Sequence, residues 1–202
     1  RQAVFYYNVK LKSPERVVTT DTLHYDTKKS IAHVLGPSKI TTKSSVVETK
    51  DAFFHTKSDQ AQLYGRSTIV DGEKTITGDS LFYDSRTGDS HGHGNVVFVD
   101  KKNKNSLLAN YLQYNEKTGQ GVATDSALVI DYSQKDTLYM HGDTLKLFTF
   151  HIDTDSMYRK VHAYHKVRVY RKDLQAVCDS LVFSTEDSCM TMYQDPIIWN
   201  NN

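Results

Sequence analysis

Gly78-Asp79-Ser80-Leu81-Phe82-Tyr83-Asp84, followed by Gly92-His93-Gly94-Asn95-Val96-Val97-Phe98, is the stretch from which the fold is read. Leu81 and Tyr83 alternate with smaller or mixed residues, the period-2 signature of a strand with one buried face. Asp84-Ser85-Arg86-Thr87-Gly88 follows, with an acid entering and a glycine leaving. This is turn chemistry: the carboxylate accepts from nearby backbone N–H groups, and glycine supplies a positive φ. The second segment returns as another strand. The local reading is strand, tight turn, strand.

The same unit recurs along the chain. With an acid or amide as position 0, the series runs Asp21, Asp51, Asp79, Asn110, Asp143 and Asp179. Two positions on stand Leu23, Phe53, Leu81, Leu112, Leu145 and Leu181, and four on stand Tyr25, His55, Tyr83, Tyr114, Leu147 and Phe183. A second strand is referenced to Gly36, Gly65, Gly94, Asp125, His165 and Gln194. Four residues past these lie Ile40, Ile69, Phe98, Val129, Val169 and Ile198, all apolar. The spacing predicts about six two-strand repeats, each a unit that buries its apolar face only by stacking on its neighbours. The small residue that often precedes position 0 (Gly78, Ala109, Gly142, Cys178) predicts a kink there, as a bulge gives. The fifth repeat is longer around 149–155, which reads as a surface loop.

Composition agrees. Val, Ile, Thr, Tyr, Phe and Trp make up 68 of 202 residues against nine Ala, which favours pleated, half-buried surfaces over helices. Lys and Arg number 25 and Asp and Glu 24, a net charge of +1. That balance argues against a surface built to neutralise nucleic acid. Hydrophobic residues at 38% are enough to close a core, so disorder is disfavoured. No apolar run approaches the ~18 residues of a spanning helix, and no signal peptide precedes Arg1.

Signals for chemistry are sparse. His91 and His93 would share one face of a strand, but no Cys or acidic partner stands at ligand spacing, so no metal site is assigned. The glycines around them lack the third member and the helix of a dinucleotide fingerprint, and no nucleophile elbow, phosphate loop or zinc-protease motif occurs. The repeated acid reads better as a corner residue bonding backbone N–H groups than as a ladder of metal ligands, because no second carboxylate column accompanies it. Cys178 and Cys189 fall on the two strands of the last unit; an oxidising compartment would allow a disulfide, but their offset across the hairpin favours two buried thiols. No enzyme, cofactor or nucleic-acid partner is expected.

The Asp-x-Leu-x-Tyr element of Asp79–Tyr83 and the Gly-Asn-Val element of Gly94–Val96, repeated over residues 17–199, resemble the OstA family, closest in flavour to the OstA-like proteins of Bacteroidetes. That family includes the lipopolysaccharide-transport protein LptA and the N-terminal domain of LptD. The resemblance implies an all-β, twisted β-jellyroll or solenoid, with residues 1–202 forming a single array and a piece of a longer polypeptide. It implies a non-enzymatic module of the periplasm or cell envelope of a Gram-negative bacterium. Its partners would be lipopolysaccharide, with the lipid A acyl chains in an apolar groove, and other jellyroll domains or itself, stacked edge to edge. Candidate groove residues are Leu23, Tyr25, Phe53, Leu81, Tyr83, Phe98, Leu112, Tyr114, Val129, Leu145, Leu147, Val169, Leu181 and Phe183. A carbohydrate-active β-solenoid enzyme and a purely structural envelope spacer or adhesin are the alternatives.

Overall fold

A computed structural model describes residues 1–14 and 16–200. Among the described residues it contains fourteen β-strands and no helix. The chain divides into two compact units, Arg1–Phe98 and Val99–Asn202.

The first unit holds β1 (Gln2–Lys12), β2 (Arg16–Asp26), β3 (Ile31–Thr42), β4 (Ser45–His55), β5 (Gln60–Asp71), β6 (Lys74–Asp84) and most of β7 (Asp89–Asp100). Each strand is hydrogen-bonded to its sequence neighbours, so β1 is an edge. In the second unit β8 (Asn105–Asn115), β9 (Gln120–Asp131), β10 (Leu138–Phe150), β11 (Tyr158–Arg171) and β12 (Leu174–Ser184) follow in the same order. β12 then pairs antiparallel with both β13 (Cys189–Tyr193) and β14 (Ile197–Asn200), which share its far side. β1 is a full strand that the repeat count did not include, and its two-residue corner, Tyr7-Asn8, contains no glycine to announce it.

Turn chemistry is as the sequence indicates. Asp26 Oδ1 accepts from the N–H groups of Lys28 (2.9 Å) and Lys29 (3.1 Å), and Asp84 Oδ1 from Arg86 (2.9 Å). Asn115 Oδ1 accepts from Lys117 (3.0 Å) and Thr118 (2.9 Å). The lengthened fifth repeat is a loop between β10 and β11, and near the end of β10 the Thr149 N–H donates to the Gly119 carbonyl of the β8–β9 turn at 3.1 Å.

Every second strand bends at one place. Positive φ values recur at Tyr7 and Asn8, Gly36, Gly65, Gly94 and Asn95, Asp125 and Ser126, His165 and Lys166, and Gln194 and Asp195. The register shows why: Tyr7-Asn8 stand opposite Asp21, Gly36-Pro37 opposite Lys50, Gly65-Arg66 opposite Asp79, and His165-Lys166 opposite Asp179. These are β-bulges, two residues against one. The expected kink at position 0 therefore belongs to the strand across from it. In the first unit buried hydroxyls line the bend, with Thr20 bonded to Ser38 at 2.7 Å and Thr49 to Ser67 at 2.9 Å. Ser38 and Ser67 also bond the Gly36 and Gly65 carbonyls that the bulge frees from the ladder (2.8 and 2.9 Å). From β6 on the same positions are glycine or apolar: Gly78 and Val96 still in the first unit, then Ala109, Ala127, Val167 and Cys178 in the second.

The bulge glycines are not equivalent. A methyl group on Gly36 (φ +83) would meet Asp21 Oδ2 at 2.6 Å, whereas one on Gly65 (φ +70) would meet open space. Gly65→Ala is expected to cost about 1–2 kcal/mol of left-handed strain. Gly36→Ala should cost more, because Asp21 must also move. Urea midpoints of the two variants, read side by side, check the order.

Candidate functional site

Beside the bend, alternate residues of every strand point the same way, and cross-strand pairing assembles them into rows. In the first unit one row runs Phe5, Leu23, Val34, Ala52, Leu63 and Leu81, each paired with the next. A second runs Ala3, Tyr25, Ala32, Phe54, Ala61 and Tyr83, and a third, past the bend, Leu11, Val18, Ile40, Val47, Ile69 and Ile76. Leu23, Val34, Ala52, Leu63 and Leu81 are buried, and Val18, Val47, Ile69, Ile76 and Phe54 pack against them. Residues from both sides of the bend thus meet in one core.

Toward the β1 edge the two sides part. A cavity of about 330 Å³ opens there, lined by side chains of all three rows, including Phe5, Leu11, Val18, Tyr25, Ile40 and Phe54. Its size is that of a small-ligand site, and its walls are apolar. The polar groups on it are Arg16, which is 3.7 Å from Asp59, and Thr56, whose hydroxyl is 3.4 Å from that of Tyr25.

The second unit repeats the rows. Leu112, Ala123, Leu145, Ala163 and Leu181 form the first, ending on Met192. Tyr114, Gly121, Leu147, Val161 and Phe183 form the second, and Leu107, Val129, Met140, Val169 and Ala176 the third. Of the expected groove residues, Leu112, Leu145, Val169 and Leu181 are buried. Tyr114, Val129, Leu147 and Phe183 are partly open, as are Tyr25, Tyr83 and Phe98 in the first unit.

Phe53 is placed elsewhere. The residue opposite the Gly36-Pro37 bulge is Lys50, not Asp51, so the inward residues of β4 are Ala52 and Phe54. Phe53 lies on the outer face, stacked on His33 at 3.8 Å between ring centroids, and His33 Nε2 is 2.8 Å from Asp51 Oδ1. A one-residue slip reverses every side chain of a strand, and here both registers offer a phenylalanine. Phe5, Leu11, Arg16 and Phe54 are among the cavity residues that spacing alone missed. Even gaps of 29 residues from Asp21 to Lys50 and from Lys50 to Asp79 are the signal that would have found the last of them.

The position-0 carboxylates meet side chains rather than backbone N–H groups. Asp79 accepts from Asn95 Nδ2 at 2.8 Å and Arg66 at 3.1 Å, and both donors sit in bulges. Asp143 is 3.6 Å from Lys166 and Asp179 is 3.5 Å from His165. The corner is a chain of cross-strand polar pairs on the outer surface. Cys178 is buried, where desolvation pushes its thiol up, but Cys189 is exposed rather than buried as expected, and both are free.

Residues 22–141 match the family described as OstA-like protein. Among solved structures the chain is similar to LptH from Pseudomonas aeruginosa, the LptA-homologous periplasmic component of its lipopolysaccharide transport device. Identity is 16% and the TM-score 0.49, over 60% of this chain and 82% of that one. No curated protein matches the chain.

Asp79 carries a testable consequence. Its carboxyl is held below the ordinary 3.8, first by the Asn95 side chain and then by Arg66. A depressed folded-state pKa contributes stability above the unfolded value and loses it as pH falls through the folded one. Removing Asn95 (Asn95→Ala) is expected to move the Asp79 titration upward and to flatten the loss of stability below about pH 4. NMR titration of the carboxyl resonance, with melting curves at each pH, checks both.

Proposed function

The chain belongs to the OstA-like family, and from that premise we propose that it is a non-enzymatic lipopolysaccharide-transport module of the cell envelope of a Gram-negative bacterium. In this reading its apolar rows shelter acyl chains, and its open edge docks against another jellyroll domain. The observation that carries the reading is the cavity of about 330 Å³ between the two sides of the first unit, walled by alternating large and small apolar side chains. Such walls supply burial rather than acid–base chemistry. Each methylene withdrawn from water there is worth roughly 0.8 kcal/mol, with little demand on the shape of the ligand. Arg16 at the cavity wall suits an anionic headgroup beside the buried chains.

The edge supports the second half of the proposal. Among the described residues β1 pairs only with β2, and Val4, Phe5, Tyr6 and Leu11 are all more than two-fifths exposed on it. An edge so long and apolar is a template for another strand unless it is blunted or covered, and strand addition would cover it.

Two experiments test these halves separately. A photo-reactive residue replacing Phe54 or Tyr25 is expected to label lipopolysaccharide well above the level reached from Lys102, an exposed turn position. Equal labelling from both would remove the groove reading. Lysines at Val4 and Tyr6, whose partners His24 and Thr22 place them on the outer face, should weaken edge association by roughly tenfold or more in sedimentation equilibrium. Labelling at Phe54 should persist in that variant.

A further inference from the structure

Four of the five carboxylates that head the repeats have a partner. Asp51 is 2.8 Å from His33, Asp79 3.1 Å from Arg66, Asp143 3.6 Å from Lys166 and Asp179 3.5 Å from His165. Among the described residues no side chain bonds or pairs with the Asp21 carboxylate. The contrast is sharpest within the first unit, where Asp21 and Asp79 have the same surroundings. A methyl group on Gly36 would meet Oδ2, Cβ and Cγ of Asp21 at 2.6, 2.9 and 3.0 Å. One on Gly94 would meet the same atoms of Asp79 at 2.6, 2.9 and 3.1 Å. Each carboxylate is laid over the bulge glycine of the following strand, and the match sets β1–β2–β3 on β5–β6–β7. Arg66 and Asn95, the two donors to Asp79, then fall at Asn8 and Pro37. Proline has no N–H to give, and asparagine is short and uncharged. The cradle is repeated, but its cation is not.

A cavity of about 390 Å³ opens at this corner, lined by Tyr6, Tyr7, Asn8, Asp21 and Thr22. Tyr7 is 90% exposed and Tyr6 62%, with ring centroids 6.5 Å apart and planes at 49°. Exposed rings beside an unpaired carboxylate suit a cation, because ring face and carboxylate both attract positive charge. A guanidinium suits them better than an ammonium. Its planar fork bonds a carboxylate while its face stacks on a ring. Arg66 shows this corner holding one: its Nη1 donates to Asp79 Oδ1 at 3.1 Å and to the Asn95 carbonyl at 2.7 Å.

We propose that the pocket takes the guanidinium of an arginine carried by a strand that adds to the β1 edge. The reach fits. Arg66 spans from β5 across β6 to a carbonyl of β7, a distance of two strand spacings, ~9.6 Å. An arginine on a strand beyond β1 has the same distance to cover to Asp21 on β2. Backbone pairing along an edge is indifferent to sequence and tolerates slippage. One arginine seated at Asp21 fixes which residue of the added strand stands opposite Tyr7-Asn8. The source of the arginine rests on the edge-docking reading of β1; the pocket's preference for a guanidinium does not.

The test is an amide NMR titration of the full chain with Nα-acetyl-arginine amide and with its citrulline counterpart, which is similar in shape but uncharged. The strand peptide acetyl-Thr-Val-Arg-Val-Thr-amide follows. Saturable shifts centred on 6–8 and 21–22 are expected with arginine, and citrulline should bind roughly tenfold more weakly or worse. The peptide should bind roughly tenfold more tightly than the single residue and lose that gain when alternate amide nitrogens are methylated. Asp21→Asn should weaken arginine binding by about tenfold. Tyr7→Asn, which keeps a residue suited to the left-handed φ there, should weaken it by about threefold. Asp153→Asn, which removes an exposed loop carboxylate, leaves it unchanged. Equal affinity for citrulline, shifts centred elsewhere or indifference to Asp21→Asn would overturn the pocket and leave strand addition standing. A peptide no tighter than the single residue would overturn the added strand as the source of the arginine.

Discussion

The two-against-one count at each bulge is the constraint on which the rest depends. In an unbroken strand the residues at alternate positions face one way throughout. One extra residue raises the local twist and lets the strand opposite change that parity at the bend. Thr20 and Leu23 of β2 are both buried though three apart, as are Thr49 and Ala52 of β4, while the bulged strands keep a spacing of four. Val34 and Ser38 of β3 are buried on either side of Gly36-Pro37, as are Leu63 and Ser67 around Gly65-Arg66. Because the bulge returns in every second strand at the same register, the bends line up and the rows on both sides stay in line. A bulge displaced by one residue would break three rows at once.

The bend is met in two ways along the chain. Hydroxyl pairs line it from β2 to β5, and apolar residues or glycine line it from β6 on. The first arrangement satisfies carbonyls that the bulge releases from the ladder; the second relies on packing. On the outer surface the corner is bound by charge instead, with Asp79, Asp143 and Asp179 reaching bulge residues of neighbouring strands. These exposed pairs add little stability individually, but each joins a bulge to a residue of the strand beside it, and so marks the register.

Much of this was legible in the chain. The leucine column Leu23, Leu81, Leu112, Leu145 and Leu181 is buried as its period implies, and the Asx turns at Asp26, Asp84 and Asn115 form where their residues place them. What was hidden depended on pairing. Lys50-Asp51 and Phe53-Phe54 both fit the strand pattern, and pairing with the neighbouring strands chooses between the two registers, leaving only the even gaps as its trace in the sequence. β1 was hidden because Tyr7-Asn8 adopt the left-handed conformation without a glycine.

The row Tyr25, Ala32, Phe54, Ala61, Tyr83 alternates a ring with a methyl group at each step between strands. Strands lie about 4.8 Å apart, so ridge and notch repeat every ~9.6 Å. A flexible apolar chain lying on such a surface finds the same contacts after each shift by one repeat. Its energy landscape is a washboard rather than a single well, with barriers set by one ring at a time. A corrugated surface of this kind would hold an apolar occupant against water while leaving its position along the row nearly degenerate, a condition for passage rather than storage.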